Sequence, residues 1–177
     1  MGDAAAPAPR RVAAPEQVAS LFAPVDLTQD PPPLYVGERA NATGSKKFRE
    51  ALLAERLDTA FDLLVEQDEG VAHVLDLSVA YAGRDERADM TALAARAARE
   101  CRLPLMVDST QLDVVEAALK LHGGRMLINS IHFESGEEKA EALVALARRF
   151  GAGLVGLTID ETGMAMTADR KLEIAGR

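Results

Sequence analysis

Short apolar runs alternate with helical patterns along the chain from Leu34 onward. In the helical segments, apolar residues recur mostly three to five positions apart, which is typical of amphipathic helices. Predicted helices span residues 46 to about 69, 89–100, 111–121 and 137–150. Predicted strands comprise a first run that ends at Val36, then residues 71–77, 103–107, 125–128 and 154–159. This alternation predicts an α/β fold with right-handed crossovers and a parallel sheet.

Polar residues end each apolar run. The first run leads into a glycine-bearing loop over residues 36–46, the second carries Asp76, and the others stop at the polar clusters 108–110, 129–130 and 160–162. Since the carboxyl ends of parallel strands share one face, these clusters predict one site. The first loop has only Gly37 and Gly44 instead of G-x-G-x-x-G, which favours a (β/α)8 TIM-type barrel over an open doubly wound sheet.

The sequence is predicted to consist of a linker arm followed by part of a barrel. Seven of the eight prolines precede residue 34, so residues 1–33 are predicted to be a Pro/Ala-rich linker arm, with one or two helical turns at 16–22. A complete barrel takes about 250 residues. Residues 34–177 are therefore expected to form the first five βα units, with the remainder missing or supplied by another chain. Ser135 and Glu138 predict a capping box before the last helix, and Gly151 its end.

Charge and hydropathy restrict the partners and the compartment. A net charge of −8 disfavours binding to nucleic acid, which needs a basic surface. No run reaches the roughly 18 apolar residues of a membrane span, and the first residues lack the order of a signal peptide. Cys101 is the single cysteine and predicts neither a disulfide nor a metal site. We therefore expect a cytoplasmic protein without membrane contact.

Several motifs in order resemble one protein family. They are VGERANATGSKKFRE at 36–50, LDLS at 75–78, LMVDST at 105–110, MLINSI at 126–131 and GLTIDETG at 156–163. Together they resemble the pterin-binding domain of cobalamin-dependent methionine synthase, and they are similar also to corrinoid-dependent methyltetrahydrofolate methyltransferases. The resemblance covers residues 34–177.

The resemblance implies a TIM barrel that binds 5-methyltetrahydrofolate and presents its N5-methyl group to cob(I)alamin, which is bound by another domain, in methionine synthesis. It also implies a homocysteine-binding domain upstream, joined through the arm, and further pterin ligands on later strands. Two alternatives stay open: a dihydropteroate-synthase-like pterin enzyme, and a non-catalytic folate-binding half barrel. No side chain is expected to be methylated, so no catalytic residue is assigned.

The resemblance also assigns substrate contacts. Asp108 would pair with the 2-amino and ring N–H groups of the pterin, although it could instead cap the helix at Gln111. Asn129 would offer a donor and an acceptor to the heterocycle edge. Gly44, Ser45 and Lys46 are expected to contact folate because they lie where the first helix begins.

Other polar residues near these motifs carry weaker assignments. Asn41 is expected either to contact the substrate or to stabilise its loop. Glu38 and Arg39 are expected to form an ion pair, and Asp76 to support a loop. Two further positions stay open: Ser78 is shorter than the Asn of many relatives, and Asp160 matches a family position.

Overall fold

The computed structural model describes residues 16–177, and its centre is a five-stranded parallel sheet. The strands are β1 (Gln17–Ala19), β2 (Pro24–Asp26), β3 (Val36–Asn41), β4 (Val74–Ser78), β5 (Leu105–Asp108), β6 (Leu127–Ile131), β7 (Gly153–Gly156), β8 (Ile159–Asp160) and β9 (Gly163–Met164). The helices are α1 (Lys46–Leu53), α2 (Leu57–Asp68), α3 (Glu86–Glu100), α4 (Leu112–Leu121), α5 (Glu137–Phe150) and α6 (Ala168–Ala175).

The parallel sheet has the order β3-β4-β5-β6-β7, and helices connect its successive strands. This arrangement confirms the α/β prediction, and the described residues form the first five βα units of a (β/α)8-type barrel. The strands β8 and β9 form a separate antiparallel pair after the sheet. Within residues 16–177, no helix combines the length and the apolar character that crossing a membrane would require.

The two faces of the sheet differ in what they bury. On the helical face, Leu75, Leu77, Val107 and Ile128 join a large cluster of buried apolar residues from the sheet and the surrounding helices. On the inner face, a smaller apolar cluster contains Val18, Val74, Met106 and Leu127. Because side chains alternate between the faces of a strand, Asp76, Asp108 and Asn129 also lie on the inner face, with Asp76 level with Met106 in register.

An antiparallel hairpin of β1 and β2 closes the amino-terminal end of the barrel interior. Val18 lies on β1 and is buried against Val74, Met106 and Leu127. The prediction of one or two helical turns at residues 16–22 is therefore wrong, because this part of the arm forms a strand that packs on the sheet. Ala19 and Arg125 exchange backbone hydrogen bonds of 3.0 and 2.8 Å, so a distant strand end holds the hairpin. Residues 1–15 lie outside the described part.

The predicted helix over residues 46–69 is two helices in the structure. Between α1 and α2, Glu55 adopts a left-handed backbone conformation with φ of 56°. The Glu55 and Arg56 N–H groups donate to the carbonyls of Leu52 and Ala51, both at 2.9 Å. These two bonds form a Schellman motif, which ends a helix and usually places glycine at the left-handed position. The sequence does not reveal this break, because the apolar spacing continues through it and the left-handed position is occupied by a glutamate and not by the glycine that usually marks a helix end.

One predicted cap and one predicted helix start are also wrong, whereas α5 begins at residue 137 as predicted. The helix α5 begins after Gly136, whose φ of 90° suits glycine, and no side-chain cap bond forms there, so the predicted capping box of Ser135 is absent. The helix α3 begins at Glu86 rather than at residue 89, because the Asp85 side chain accepts a hydrogen bond from the Ala88 N–H at 3.0 Å. The end of α5 at Gly151, in a left-handed conformation, is confirmed.

Candidate functional site

A row of polar residues crosses the carboxyl end of the sheet. Asn41 pairs in register with Ser78, and Asp108 pairs with Asn129. Leu77 pairs with Val107, so Ser78 and Asp108 follow as neighbours on adjacent strands. The structure therefore brings together four polar side chains that lie up to 88 positions apart in the sequence. Such a row at the mouth of a (β/α)8 barrel is where ligands bind in this architecture.

Asp108 lies at the end of β5 and is only partly exposed. Burial raises the pKa of its carboxyl group, and the charges of Glu38 and Glu86 raise it further, while the neighbouring Ser78 hydroxyl counteracts the rise. The helix that follows begins after Gln111, which has no side-chain cap, and the Gln111 N–H donates to Ser109 Oγ at 3.1 Å. Asp108 therefore does not cap α4, and its carboxylate is available to a ligand.

Asn129 on β6 lies next to Asp108 on β5 and contacts Asp76 on β4, one strand further along the sheet. Its Nδ2 donates to Asp76 Oδ1 across 3.5 Å. The carboxyl group of Asp76 is almost fully buried, with 1% exposure. The structure thus corrects the expectation that Asp76 supports a loop, since its contact is with a residue of the polar row. An Asp inside an apolar strand, two positions before Ser78, was the available signal for this placement.

The loop after β3 holds itself in shape through Asn41. Asn41 Oδ1 accepts hydrogen bonds from the Thr43 N–H at 2.9 Å, the Thr43 hydroxyl at 2.7 Å and the Gly44 N–H at 2.8 Å. Ser45 caps α1 by accepting from the Phe48 N–H at 3.3 Å. These contacts give Asn41 and Ser45 structural roles in the described chain. Their predicted contacts with folate remain predictions.

The start of α1 presents Gly44 and Lys46 to solvent. Lys46 lies 3.7 Å from Glu50 in an exposed ion pair, which leaves its ammonium group able to reach an anionic ligand. The Gly44 N–H is already used by Asn41. Of these two predicted contacts, Lys46 is therefore the one with hydrogen-bonding capacity to spare.

The predicted ion pair between Glu38 and Arg39 is absent. Arg39 instead lies 3.8 Å from Glu66, and Glu38 accepts a hydrogen bond from Asn41 Nδ2 at 3.4 Å. The strand β3 has an irregular register between Gly37 and Ala40, and the Arg39 N–H donates to the buried Gln67 side chain at 2.6 Å. Adjacent residues of a strand point to opposite faces, so a contact between these two side chains is not expected within β3.

Asp160 is buried away from the polar row. Its carboxylate accepts from the Thr162 hydroxyl at 2.7 Å and pairs with Arg170, and Arg177 lies 3.8 Å away. The hydrogen bond from Thr162 is the main cause of its lowered pKa. Asp160 thus links the turn between β8 and β9, through Thr162, to α6, through Arg170. Among residues 16–177, no three His, Cys, Asp or Glu side chains are grouped to hold a metal ion.

Glu86 is a site neighbour that sequence reasoning missed. Its carboxylate accepts from the Ser109 hydroxyl at 2.5 Å and from the Gln111 side chain, so it fixes the loop that follows Asp108. Glu86 lies at the start of α3, a helix whose start is predicted three residues too late from apolar spacing. The charge of Glu86 also contributes to the raised pKa of Asp108.

Five parallel strands with a polar row at their carboxyl ends are typical of (β/α)8-type barrels, in which ligands bind at the mouth. Residues 37–176 match the family of pterin binding enzymes, and the chain belongs to this family. It is 46% identical over 171 residues to methionine synthase of Mycobacterium tuberculosis, and 44% identical over 171 residues to methionine synthase of Mycobacterium leprae. Each alignment covers 95% of this chain and 14% of the relative's length.

Proposed function

We propose that this chain binds 5-methyltetrahydrofolate at the carboxyl end of its sheet and presents the N5-methyl group for transfer to cob(I)alamin, in methionine synthesis. The observation that carries the proposal is the pairing of Asp108 with Asn129 on adjacent strands of a chain that belongs to the pterin-binding family. The similarity to two methionine synthases favours this function over a dihydropteroate-synthase-like activity.

In this proposal the described residues act on the folate. The Asp108 carboxylate accepts hydrogen bonds from the 2-amino and ring N–H groups of the pterin, and Asn129 completes the contact with the edge of the ring. Lys46 attracts the anionic tail of the folate at the rim. Cobalamin, carried by another domain, supplies the Co(I) nucleophile when bound. The residues of this chain position the methyl group and leave the mouth open to the approaching corrin.

Calorimetric titration with 5-methyltetrahydrofolate tests the binding step. Asp108→Asn replaces a charged acceptor with a neutral amide, and we expect it to weaken binding by roughly 1.5–3 kcal/mol. Asp113→Asn is the matched control, because Asp113 lies five residues away on α4 with its side chain 59% exposed. An Asp108→Asn variant that binds as tightly as the control would refute the assignment.

A transfer assay separates the proposal from its main alternative. The chain is incubated with 5-methyltetrahydrofolate and free cob(I)alamin, and the appearance of methylcobalamin is followed by absorbance. Transfer above the protein-free rate supports the proposed function. Binding without transfer fits either a non-catalytic half barrel or a transfer domain that lacks its later strands, and supplying the remaining βα units should restore transfer only in the second case.

A further inference from the structure

Asp76 lies below the polar row on the inner face of the sheet. It is two residues before Ser78 on β4, so the two side chains point to the same face, and Asp76 lies about 7 Å deeper in the barrel. Val74 lies beneath it on the same strand, and Met106 lies beside it, in register on β5. With 1% exposure, Asp76 is a carboxyl group between an apolar layer and a ligand-facing row.

Three polar groups face the Asp76 carboxyl group from three different strands. Asn129 on β6 donates to Oδ1 across 3.5 Å, whereas Oδ2 has no hydrogen-bond partner among the described residues. Asp108 on β5 and Glu38 on β3 contribute negative charge. Burial, and then the charge of Asp108, raises the pKa of Asp76 to about 7, while the hydrogen bond from Asn129 counteracts the rise. Asp76 therefore changes charge near neutral pH.

The charge of Asp76 determines which end of the Asn129 amide it attracts. A carboxylate is only an acceptor, so it attracts Nδ2 and repels Oδ1. With Nδ2 turned towards Asp76, Asn129 Oδ1 is left for other donors. Reversing the amide would bring Oδ1 against the carboxylate oxygen, an arrangement that no hydrogen bond stabilises.

We propose that Asp76 is a positioning residue that fixes the side-chain amide of Asn129, so that Asn129 and Asp108 together present oxygen acceptors to N–H groups of the ligand. This inference rests on the proposed function, because the ligand is taken to be a reduced pterin. It assigns Asp76 a role through Asn129 and no contact with the substrate.

A proton on Asp76 should weaken this control. A protonated carboxyl group can donate to Asn129 Oδ1 and thereby stabilise the reversed amide, which offers Nδ2 to the ligand instead of an acceptor. The affinity for the edge of the pterin that carries N–H donors should therefore rise as the pH rises through about 7, the range in which Asp76 loses its proton. Asp108, whose pKa is also raised by burial, adds to the same profile and has to be separated from Asp76.

Two nearly isosteric variants separate these contributions. Asp76→Asn keeps an oxygen that can accept from Asn129 Nδ2 but no longer titrates. Asp76→Leu has neither a hydrogen-bond acceptor nor a titrating group. We expect Asp76→Asn to bind 5-methyltetrahydrofolate with an affinity between those of the unaltered chain at pH about 8.5 and of Asp76→Leu, because its amide can also donate to Asn129 Oδ1 and so stabilise the reversed amide. It should also lose the part of the pH dependence that belongs to Asp76. We expect Asp76→Leu to bind about tenfold more weakly, the effect of one lost hydrogen bond. Unfolding curves check that both variants fold.

A second readout needs no ligand. In NMR spectra of the full chain, the Asn129 side-chain NH2 signals should shift with a midpoint near pH 7. They should lose this midpoint in Asp76→Asn, whereas in Asp108→Asn the midpoint should remain but move to lower pH, because the charge of Asp108 helps to raise the pKa of Asp76. Equal affinity of the Asp76→Leu and unaltered chains, or an Asn129 signal that keeps its midpoint in Asp76→Asn, would overturn the inference. Failure of every form to bind 5-methyltetrahydrofolate would instead refute the proposed function, and the NMR titration would still decide whether Asp76 controls Asn129.

Discussion

At the scale of single residues, the interior of the barrel holds a carboxyl group that the fold does not fully pair. Asp76 has one long hydrogen bond from Asn129, and its second oxygen has no partner among the described residues. Burying a charge without compensation is costly, and the usual result is a shifted pKa. The folded-state pKa of about 7 lies above the ordinary value of 3.8, so the folded chain binds this proton more tightly than the unfolded chain does.

The pH dependence of stability follows from this difference. The stabilisation associated with the protonated group is fully present below pH about 4 and is lost as the pH rises through about 7. Asp76→Asn removes the titrating group. Its free energy of unfolding, relative to that of the unaltered chain, should therefore rise by roughly 2–4 kcal/mol between pH about 4.5 and pH about 8. Urea denaturation at the two pH values measures this change.

Asp160→Asn serves as the control for that experiment. Asp160 is also buried, but its pKa is lowered, mainly by the Thr162 hydrogen bond. Its contribution is present above its ordinary pKa and is lost as the pH falls through the lower folded value. Asp160→Asn should therefore lower stability at neutral pH. If the free energy of unfolding of Asp76→Asn, relative to that of the unaltered chain, did not rise between the two pH values, the prediction for Asp76 would be contradicted.

At the scale of elements, the break between α1 and α2 depends on one strained residue. Glu55 occupies the left-handed position of a Schellman motif, where glycine avoids the steric cost of a side chain. We expect Glu55→Gly to raise the free energy of unfolding by roughly 0.5–1 kcal/mol. Thermal or urea unfolding would measure the gain.

The matched control keeps the Cβ atom and removes the carboxylate. Glu55→Ala retains the steric cost and loses only the exposed contact with Arg84, at 3.3 Å, so its stability should be unchanged or slightly lower. A Glu55→Gly variant no more stable than Glu55→Ala would show that this backbone conformation carries little strain.

Some elements were predictable from the sequence for a physical reason, and others were not. Asp108 and Asn129 follow apolar runs whose parallel pairing is set by local helix and strand patterns, so their convergence could be expected. The hairpin of β1 and β2 depends on distant contacts, including a 2.6 Å hydrogen bond from the Ser20 hydroxyl to the Arg102 carbonyl. No pattern within residues 16–26 reports such contacts. The contact between the Asn129 amide and Asp76 likewise depends on the alignment of strands that are far apart in the sequence.

At the scale of the whole molecule, the described sheet has two edges. The strands β3 and β7 each pair with one neighbour within residues 16–177. Unpaired edges present backbone donors and acceptors to other chains. We therefore expect the 177-residue chain to associate with itself as its concentration rises, which analytical ultracentrifugation would detect.

A charged edge should reduce this association. Val36 begins β3 and is 38% exposed, so Val36→Lys places a charge on the edge without emptying the core. Leu121→Lys is the matched control, since Leu121 is equally exposed at 38% but lies at the end of α4. Association unaffected by Val36→Lys, or reduced equally by both variants, would show that the β3 edge is not the surface involved.

The polar row at the carboxyl end of the sheet is proposed to bind the pterin ring, and a crystal structure of the chain with 5-methyltetrahydrofolate tests this most directly. We expect the ring at the mouth of the barrel, with its N–H groups within hydrogen-bonding distance of an Asp108 carboxylate oxygen and of Asn129 Oδ1. Asn129 Nδ2 should be turned to Asp76. A ring bound elsewhere, or one that contacts neither Asp108 nor Asn129, would contradict the proposal.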